Sequence, residues 1–512
     1  MLLETLEKRF KNHTFYAIGG YVRNLIFKNN SSEDIDVLTN ATEEEVYEIL
    51  GRDFYAVKIN DVIRVKDIER NSWIDICSYD DLEENLKSRD FEINTKLYDL
   101  HKKEFIGKVV IPMIKYVNSE YAKVVPLAPI RALRQSLQNN ITMSEEVVED
   151  LKNINIHELN RNNLRKEIFQ MLLCDNALDK MKEYGLLEKL IPYFRHIYGF
   201  NQNSKWHDLD LFEHINKAFK SSPKILEVRL ALLFHDVEKI YCVQVREDGH
   251  YSFIGHEIES AKFAKNWLLS YETPHDIINV VCDLIENHMN KNMKVSTMVN
   301  KLGIETSKLL LDVMEADIKG RNFTMEEELI KLNTKRIELS RYEVKKSTEC
   351  NPNKPTIVIL VGLPRSGKSN FYKKYFVEYT YISRDEIRER VFGFKGNMEN
   401  EGEVTKIFNE MLNEAFNKNK NVIIDNTNVQ RKYRNKYMTM AKSRKYNTKA
   451  YLIDTEYSVV LENANREGFP IEVIESMQCR LNKPSYDEGY NEIYIVKTEF
   501  TPNEIKFKME MM

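Results

Sequence analysis

Residues Ile357–Ser369 read IVILVGLPRSGKS. The apolar run Ile357–Leu360 leads into Gly362, Leu363, Pro364, Arg365, Ser366, Gly367, Lys368 and Ser369, the G-x-x-x-x-G-K-S spacing of a phosphate-binding loop. A buried strand that feeds a glycine-rich turn and then a helix N-terminus aims backbone N–H groups at phosphates. Lys368 is placed to bridge β- and γ-phosphates and Ser369 to ligate Mg²⁺, and the nucleotide-binding stretch is taken to run through Asn370. Gly362 and Gly367 allow a close approach that a Cβ would block. Further strands are expected at Tyr379–Ile382, Asn421–Asp425 and Lys449–Asp454, alternating with helical stretches such as Glu401–Lys418. That alternation predicts an α/β sheet with helices on both faces.

The ends of those strands carry chemistry. Ser383-Arg384-Asp385 follows the second, with Arg388 one helical turn on. An acceptor hydroxyl could give its proton to Asp385, and Arg388 is placed to hold a phosphate. Arg466 lies in a candidate lid over the transferring phosphoryl group. Asp425 supports Mg²⁺ or caps its strand. Arg431 and Arg434 read either as a basic groove or as an ordinary solvated face. GLPRSGKS, SRDEIR, VIIDNTN and ANREG together resemble the kinase domain of bacteriophage-type 5′-OH polynucleotide kinases. The resemblance implies that Asp385 is the general base, Arg388 contacts the acceptor's 3′-phosphate and Arg466 clamps ATP. A small-molecule kinase is the alternative.

Upstream, LALLFHDVEK (230–239) is an apolar helix face that ends in His235 and Asp236. Two polar groups there cost several kcal/mol unless ligated or hydrogen-bonded. His214, His256, His288 and Asp317 stand in neighbouring helical patterns. Imidazoles and carboxylates on several helices can converge on divalent metals. The set resembles the HD phosphohydrolase superfamily, with His214, His235, Asp236 and Asp317 as the core signature. His256 and His288 match the extra ligands of bimetallic members. The resemblance implies one or two transition-metal ions (Mn²⁺, Ni²⁺, Co²⁺ or Fe²⁺) and water attack on a 2′,3′-cyclic, 2′- or 3′-phosphate. Lys239 would hold the phosphate. His207-Asp208 is read as structural.

The N-terminal third has Phe15–Ile18, Gly19-Gly20, Arg23 and then Asp34-Ile35-Asp36. In a strand, residues 34 and 36 share a face. Paired carboxylates repel unless a cation lies between them, and two Mg²⁺ ions on a triphosphate would supply it. Asp75, in the strand-like run Trp73–Cys77, is a candidate third carboxylate. GGYVRN (19–24), DIDVLT (34–39), SRDFEIN (88–94) and IRALR (130–134) resemble the polymerase-β-like superfamily, and within it CCA-adding enzymes and bacterial poly(A) polymerases. The resemblance implies that Gly19, Gly20 and Arg23 hold the NTP triphosphate, that Asp34 and Asp36 bind metal, that Arg89, Asp90 and Asn94 shape the nucleotide pocket, and that Arg131 and Arg134 read the base. The family has Asp at position 24, here Asn24. It also has a Glu-Asp pair where this chain has Leu127-Ala128, which removes an acceptor from the protein template for C and A.

A net charge of -4 over 512 residues excludes a uniformly basic nucleic-acid coat and leaves local basic grooves open. Six cysteines without a CxxC argue for a reducing compartment, read here as cytoplasmic. Neither a signal peptide nor a membrane span is visible. The expected organisation is multidomain: an α+β nucleotidyltransferase head (1–125), an all-α neck and body (126–200), an all-α HD domain (201–343), a polar linker (344–355) and an α/β P-loop kinase domain (356–512). The union resembles an RNA end-healing or tRNA-repair enzyme that uses ATP and other NTPs with Mg²⁺, acts on broken tRNA and leaves sealing to a separate RNA ligase. Two alternatives stay open: an RNA-binding scaffold in which only the kinase turns over, and a small-molecule kinase fused to a cyclic-nucleotide phosphohydrolase.

Overall fold

The computed structural model describes residues 2–27, 35–51, 54–67, 72–107, 109, 113–203, 209–321, 325–342, 349–393, 400–501 and 504–512. Asp34, His207-Asp208 and the first half of the expected linker lie outside the described residues. The chain divides into two compact units, Met1–Arg195 and His196–Met512.

The first unit is built on a mixed sheet. Seven described strands run in the order Ala56–Ile59, Val62–Asp67, Ser72–Ser78, Ile35–Thr39, Tyr16–Ile18, Tyr98–Asp99, Glu104–Phe105. Ile35–Thr39 and Ser72–Ser78 are parallel, with Asp36 opposite Asp75. The turn from Tyr16–Ile18 into the helix Gly20–Phe27 needs Gly19, which sits at φ 68°. A Cβ there would lie 2.9 Å from Asp36 Oδ2. The neck follows as helices Ala128–Asn139, Glu145–Asn153, Arg161–Leu172 and Ala177–Glu183. Ser144 and Asn160 cap the second and third by accepting from the N–H three residues on.

The second unit holds a helical region and an α/β region. At the centre of the helical part is Leu226–Phe234, whose residues Val228–Phe234 are all buried. Even Arg229 is buried, with its guanidinium donating to the Ser222 and Pro223 carbonyls. A helix apolar on every side must lie inside. The α/β part has six strands in the order Thr380–Ile382, Val422–Ile424, Thr356–Val361, Asn447–Asp454, Glu492–Phe500, Ile505–Met511. The first five are parallel and the last is antiparallel. Every residue of Thr356–Val361 is buried, as a central parallel strand requires. The two parts touch directly: Asp487 Oδ2 accepts from Ile304 N at 3.0 Å, and Asn279 donates to the Leu481 carbonyl at 3.0 Å. The described end of the linker is tied down as well, since Asn447 Nδ2 donates to the Asn351 and Lys354 carbonyls. No described helix is long and apolar enough to cross a membrane.

Candidate functional site

Five elements converge in the helical region. His214 comes from Leu211–Lys220, a helix started by the Asp210/Glu213 capping box. His235 ends Leu226–Phe234 and Asp236 follows it; His256 opens His256–Ser270; His288 ends His275–Asn287; Asp317 lies near the end of Ile304–Lys319. All six side chains are buried. They form two ligand groups that share one residue: His214, His235, Asp236 and Asp317, and Asp236, His256 and His288. The sharing is resolved by atom. Asp236 Oδ2 faces His214 Nε2 and His235 Nε2, each at 3.2 Å. Asp236 Oδ1 faces His256 Nε2 at 3.0 Å and His288 Nε2 at 3.6 Å. Asp317 Oδ1 closes the first group at 3.3 Å from His214.

The donor chemistry fits cations. Nδ1 of His235, His256 and His288 lies 2.9, 2.6 and 2.7 Å from the carbonyl three residues earlier, of Leu232, Phe253 and Ile285. A proton on Nδ1 donates to that carbonyl, so Nε2 presents a lone pair. Lone pair then faces carboxylate oxygen, and His256 Nε2, His288 Nε2 and both Asp236 oxygens are buried without a well-formed hydrogen bond. A divalent ion in each group removes that conflict. Burial holds His288 below the usual imidazole range. Burial also opposes charge on His235, yet Asp236 and Asp317 push its pKa up to about 9. Asp236, against the push of burial, is held well below the carboxylate range by His235 and Lys239. Lys239 is buried, 2.6 Å from Asp236 Oδ2, and donates to Gln202 Oε1 at 3.0 Å.

In the α/β region the loop Gly362–Gly367 connects Thr356–Val361 to the helix Lys368–Tyr375, with φ of 155° and 93° at its two glycines. Lys368 is buried and bonded to the Leu363 carbonyl; burial lowers its pKa. Asp425 and Asp385 act against that lowering. Ser369 Oγ donates to Asp425 Oδ2 at 2.6 Å, and Tyr381 OH to the same oxygen at 2.8 Å. Asp425 is therefore beside the loop serine, just past the end of Val422–Ile424. Leu363 packs with Val429, Val460 and Ile474; Pro364 is half-buried, Ser366 is buried, and Asn370 is exposed. Arg365 pairs with Glu467, which links the loop to the segment that carries the exposed Arg466. Asp385 is exposed in the first turn of Arg384–Phe392, and Arg388 bonds both to it and to Glu401, the latter at 2.6 Å.

Arg431 and Arg434 form neither a groove nor a solvated face. Both are buried. Arg434 forks onto Glu488 at 2.7 and 2.9 Å, and Arg431 meets Asp487 at 3.0 Å. The acidic partners lie more than fifty residues away in sequence, so spacing gave no sign of them.

In the first unit, Asp36 and Asp75 lie side by side, but Arg64 binds Asp75 through both oxygens at 2.7 and 2.8 Å. Gly20 opens the helix that carries Arg23. Arg23 donates to Asn94, which donates to Asp90, which accepts from Arg131 at 3.1 Å. These four sequence candidates form one chain of bonds; burial lowers the Arg23 pKa to about 10. Arg89 bonds Asn85 at 2.9 Å. Arg134 is taken by Glu167 at 2.5 Å, and the same carboxylate is 3.8 Å from Arg131. Glu167, on Arg161–Leu172, is a carboxylate beside the neck arginines that the sequence reading passed over.

The HD domain family model matches residues 193–320 and the AAA domain model matches 357–484. The chain is 23% identical over 353 residues to a multifunctional CCA protein of Shewanella denitrificans, spanning 60% of this chain and 84% of the relative. It is 31% identical over 107 residues to a putative bifunctional polynucleotide phosphatase/kinase of Acanthamoeba polyphaga mimivirus, 20% of this chain and 22% of that protein. A solved CCA-adding enzyme of Bacillus stearothermophilus in complex with CTP superposes with a TM-score of 0.47 at 16% identity, over 66% of this chain and 82% of its own. The chain thus joins an N-terminal α+β sheet region, a central all-helical region of the HD type with a cluster suited to divalent metal, and a C-terminal α/β region of the AAA type.

Proposed function

We propose that this protein processes the ends of broken RNA, tRNA being the favoured substrate, through three modules. The boundaries are those the sequence suggests: head to 125, neck to 200, HD domain to 343, linker to 355, kinase beyond. The observation that carries the reading is Asp236, one carboxylate shared by two buried histidine groups, in a compact unit that also contains a phosphate-binding loop.

At the HD site His214, His235, Asp236 and Asp317 would hold one ion, and Asp236, His256 and His288 a second. Such ions supply Lewis acidity and an activated water for phosphoester hydrolysis. The backbone carbonyls fix the histidine tautomers, and Lys239 holds charge beside Asp236. In the kinase module Lys368 and the loop N–H groups hold the ATP phosphates, with Ser369 and Asp425 oriented for Mg²⁺. Asp385 takes the proton of a 5′-OH, Arg388 orients the acceptor, and Arg466 closes on the transferring group. In the head Gly19, Gly20 and Arg23 would hold an NTP, Asp36 with Asp34 its metal, and Arg89 and the Asn94–Asp90–Arg131 chain the base.

The Arg64–Asp75 pair favours a second reading of the head alone, as an RNA-gripping module with little nucleotide addition. A tRNA cut in its anticodon loop, carrying a 2′,3′-cyclic phosphate and a 5′-OH, tests the whole account. It is incubated with each of the four NTPs and with Mg²⁺, Mn²⁺, Ni²⁺ or Co²⁺. Loss of the 3′ phosphate and gain of a 5′ phosphate are expected. Untouched ends under every condition refute the reading.

A further inference from the structure

The HD-type cluster is bordered by two cations that neither the family motif nor the spacing singles out. Lys291 stands four residues after His275–Asn287, and Arg321 two after Ile304–Lys319. Lys291 Nζ is 3.4 Å and Arg321 Nη2 3.6 Å from Asp317 Oδ2. That oxygen is not the one offered to His214 and His235, which face Oδ1. On their far side both cations meet Glu328, Lys291 at 3.0 Å and Arg321 at 3.6 Å. Lys335 donates to the carbonyls of Lys291 and Met293 at 2.7 and 2.5 Å, which pins the loop. Glu328 and Lys335 belong to the helix Glu326–Leu339, beyond residue 320, where the HD match ends.

The charge balance of this group shows what it lacks. Asp317 Oδ2 and Glu328 face the two cations, and Asp317 also serves the metal group through Oδ1, so its charge is shared between metal and cations. Arg321 is nearly buried, its Nε without a hydrogen-bond partner. Most of the cation–oxygen distances are longer than the roughly 2.7–2.9 Å of a strong charge-assisted bond. Two cations that share one carboxylate oxygen still repel each other, and a further anion between them offsets that repulsion. We propose that Lys291 and Arg321 form a phosphoryl-oxygen subsite beside the metal ligands, which seats the terminal phosphate of an RNA 3′ end in place of the counter-charge that Glu328 otherwise supplies to both cations. The proposal rests on the phosphohydrolase reading of this site.

The test uses the full chain loaded with Mn²⁺, its kinase site filled with Mg-ADP, titrated with inorganic phosphate by calorimetry. Lys291→Ala and Arg321→Ala should each weaken phosphate binding by about tenfold or more, as loss of a charged hydrogen bond does, with metal content and 5′-phosphorylation unchanged. Lys291→Arg should restore most of the binding. Glu328→Gln separates a ligand site from a purely structural network. It leaves the cations without a counter-charge, so phosphate should bind as tightly or more tightly. The subsite is refuted if Lys291→Ala binds phosphate within about twofold of the parent, or if Glu328→Gln weakens binding as much as Lys291→Ala does. Should the parent bind phosphate with this pattern yet hydrolyse no cyclic, 2′- or 3′-phosphate end, the subsite stands and the phosphohydrolase reading falls.

Discussion

Arg434→Met removes a guanidinium that is fully buried and has every face engaged. It forks onto Glu488, and its Nη1 donates to the carbonyls of Asn428 and Asn482, each at 2.9 Å. Those carbonyls belong to the segment after Val422–Ile424 and the segment before Tyr486–Glu488, so one side chain joins two loops. Breaking a buried pair from one side costs about 3–5 kcal/mol because the other charge stays buried. Each orphaned carbonyl adds roughly 1–3 kcal/mol. The sum is at least about 5 kcal/mol, and at about 2–4 °C per kcal/mol for a domain of 150–250 residues the melting transition of the α/β region should fall by at least about 10–20 °C. The assay is differential scanning calorimetry of the full chain with and without Mg-ATP. The double variant Arg434→Met/Glu488→Met removes both charges and should recover much of the loss. An unchanged melting temperature together with weaker RNA binding would refute the reasoning and restore the basic-groove reading.

Glu401→Gln frees Arg388 and Arg384 from their shared carboxylate. The KM for a 5′-OH RNA should rise roughly fivefold, about 1 kcal/mol, with the KM for ATP unchanged, as read by steady-state kinetics. Asp283 is pushed up to about 7 by burial and by Glu286, against Lys301. Its folded value lies above the unfolded value of about 3.9, so stability is lost as pH rises from about 4 through 7. Asp283→Asn should therefore raise the melting temperature at pH 8 and leave it nearly unchanged at pH 4. Stripping metal with EDTA should lower the melting temperature, and Mn²⁺ at about 100 times its Kd should restore about 2.7 kcal/mol for each ion bound. Asp236→Asn should abolish most of that metal-dependent shift.

What the sequence made legible was local or chemically conspicuous. The loop at Gly362–Ser369 is contiguous, and its spacing alone carries the strand, turn and helix. The six metal-type side chains are scattered over about a hundred residues; His235 and Asp236 interrupt an apolar helix, where the cost of burying a polar group points to them, and the resemblance to the HD set picked out the other four. Partners across long separations were not legible. Arg64 with Asp75, Glu167 with the neck arginines, and Arg434 with Glu488 depend on which elements the fold brings together. Exposed charge and buried charge look alike in one sequence, hence the mistaken groove at Arg431 and Arg434. The C-terminal pair Glu492–Phe500 and Ile505–Met511 also escaped notice, although EIYIVKTEF is rich in the β-branched and aromatic residues that favour strands.

One assay bears most directly on the claim that separate phosphate sites here act on the termini of one broken RNA. Cut tRNA, labelled at both new ends, is given with ATP, Mg²⁺ and Mn²⁺ to the parent, Asp236→Ala and Lys368→Ala proteins. The parent should remove the 3′ phosphate and phosphorylate the 5′ end. Asp236→Ala should lose the first activity alone and Lys368→Ala the second alone. A Lys368→Ala protein that still phosphorylates the 5′-OH, or an Asp236→Ala protein that still clears the 3′ end, would contradict the account.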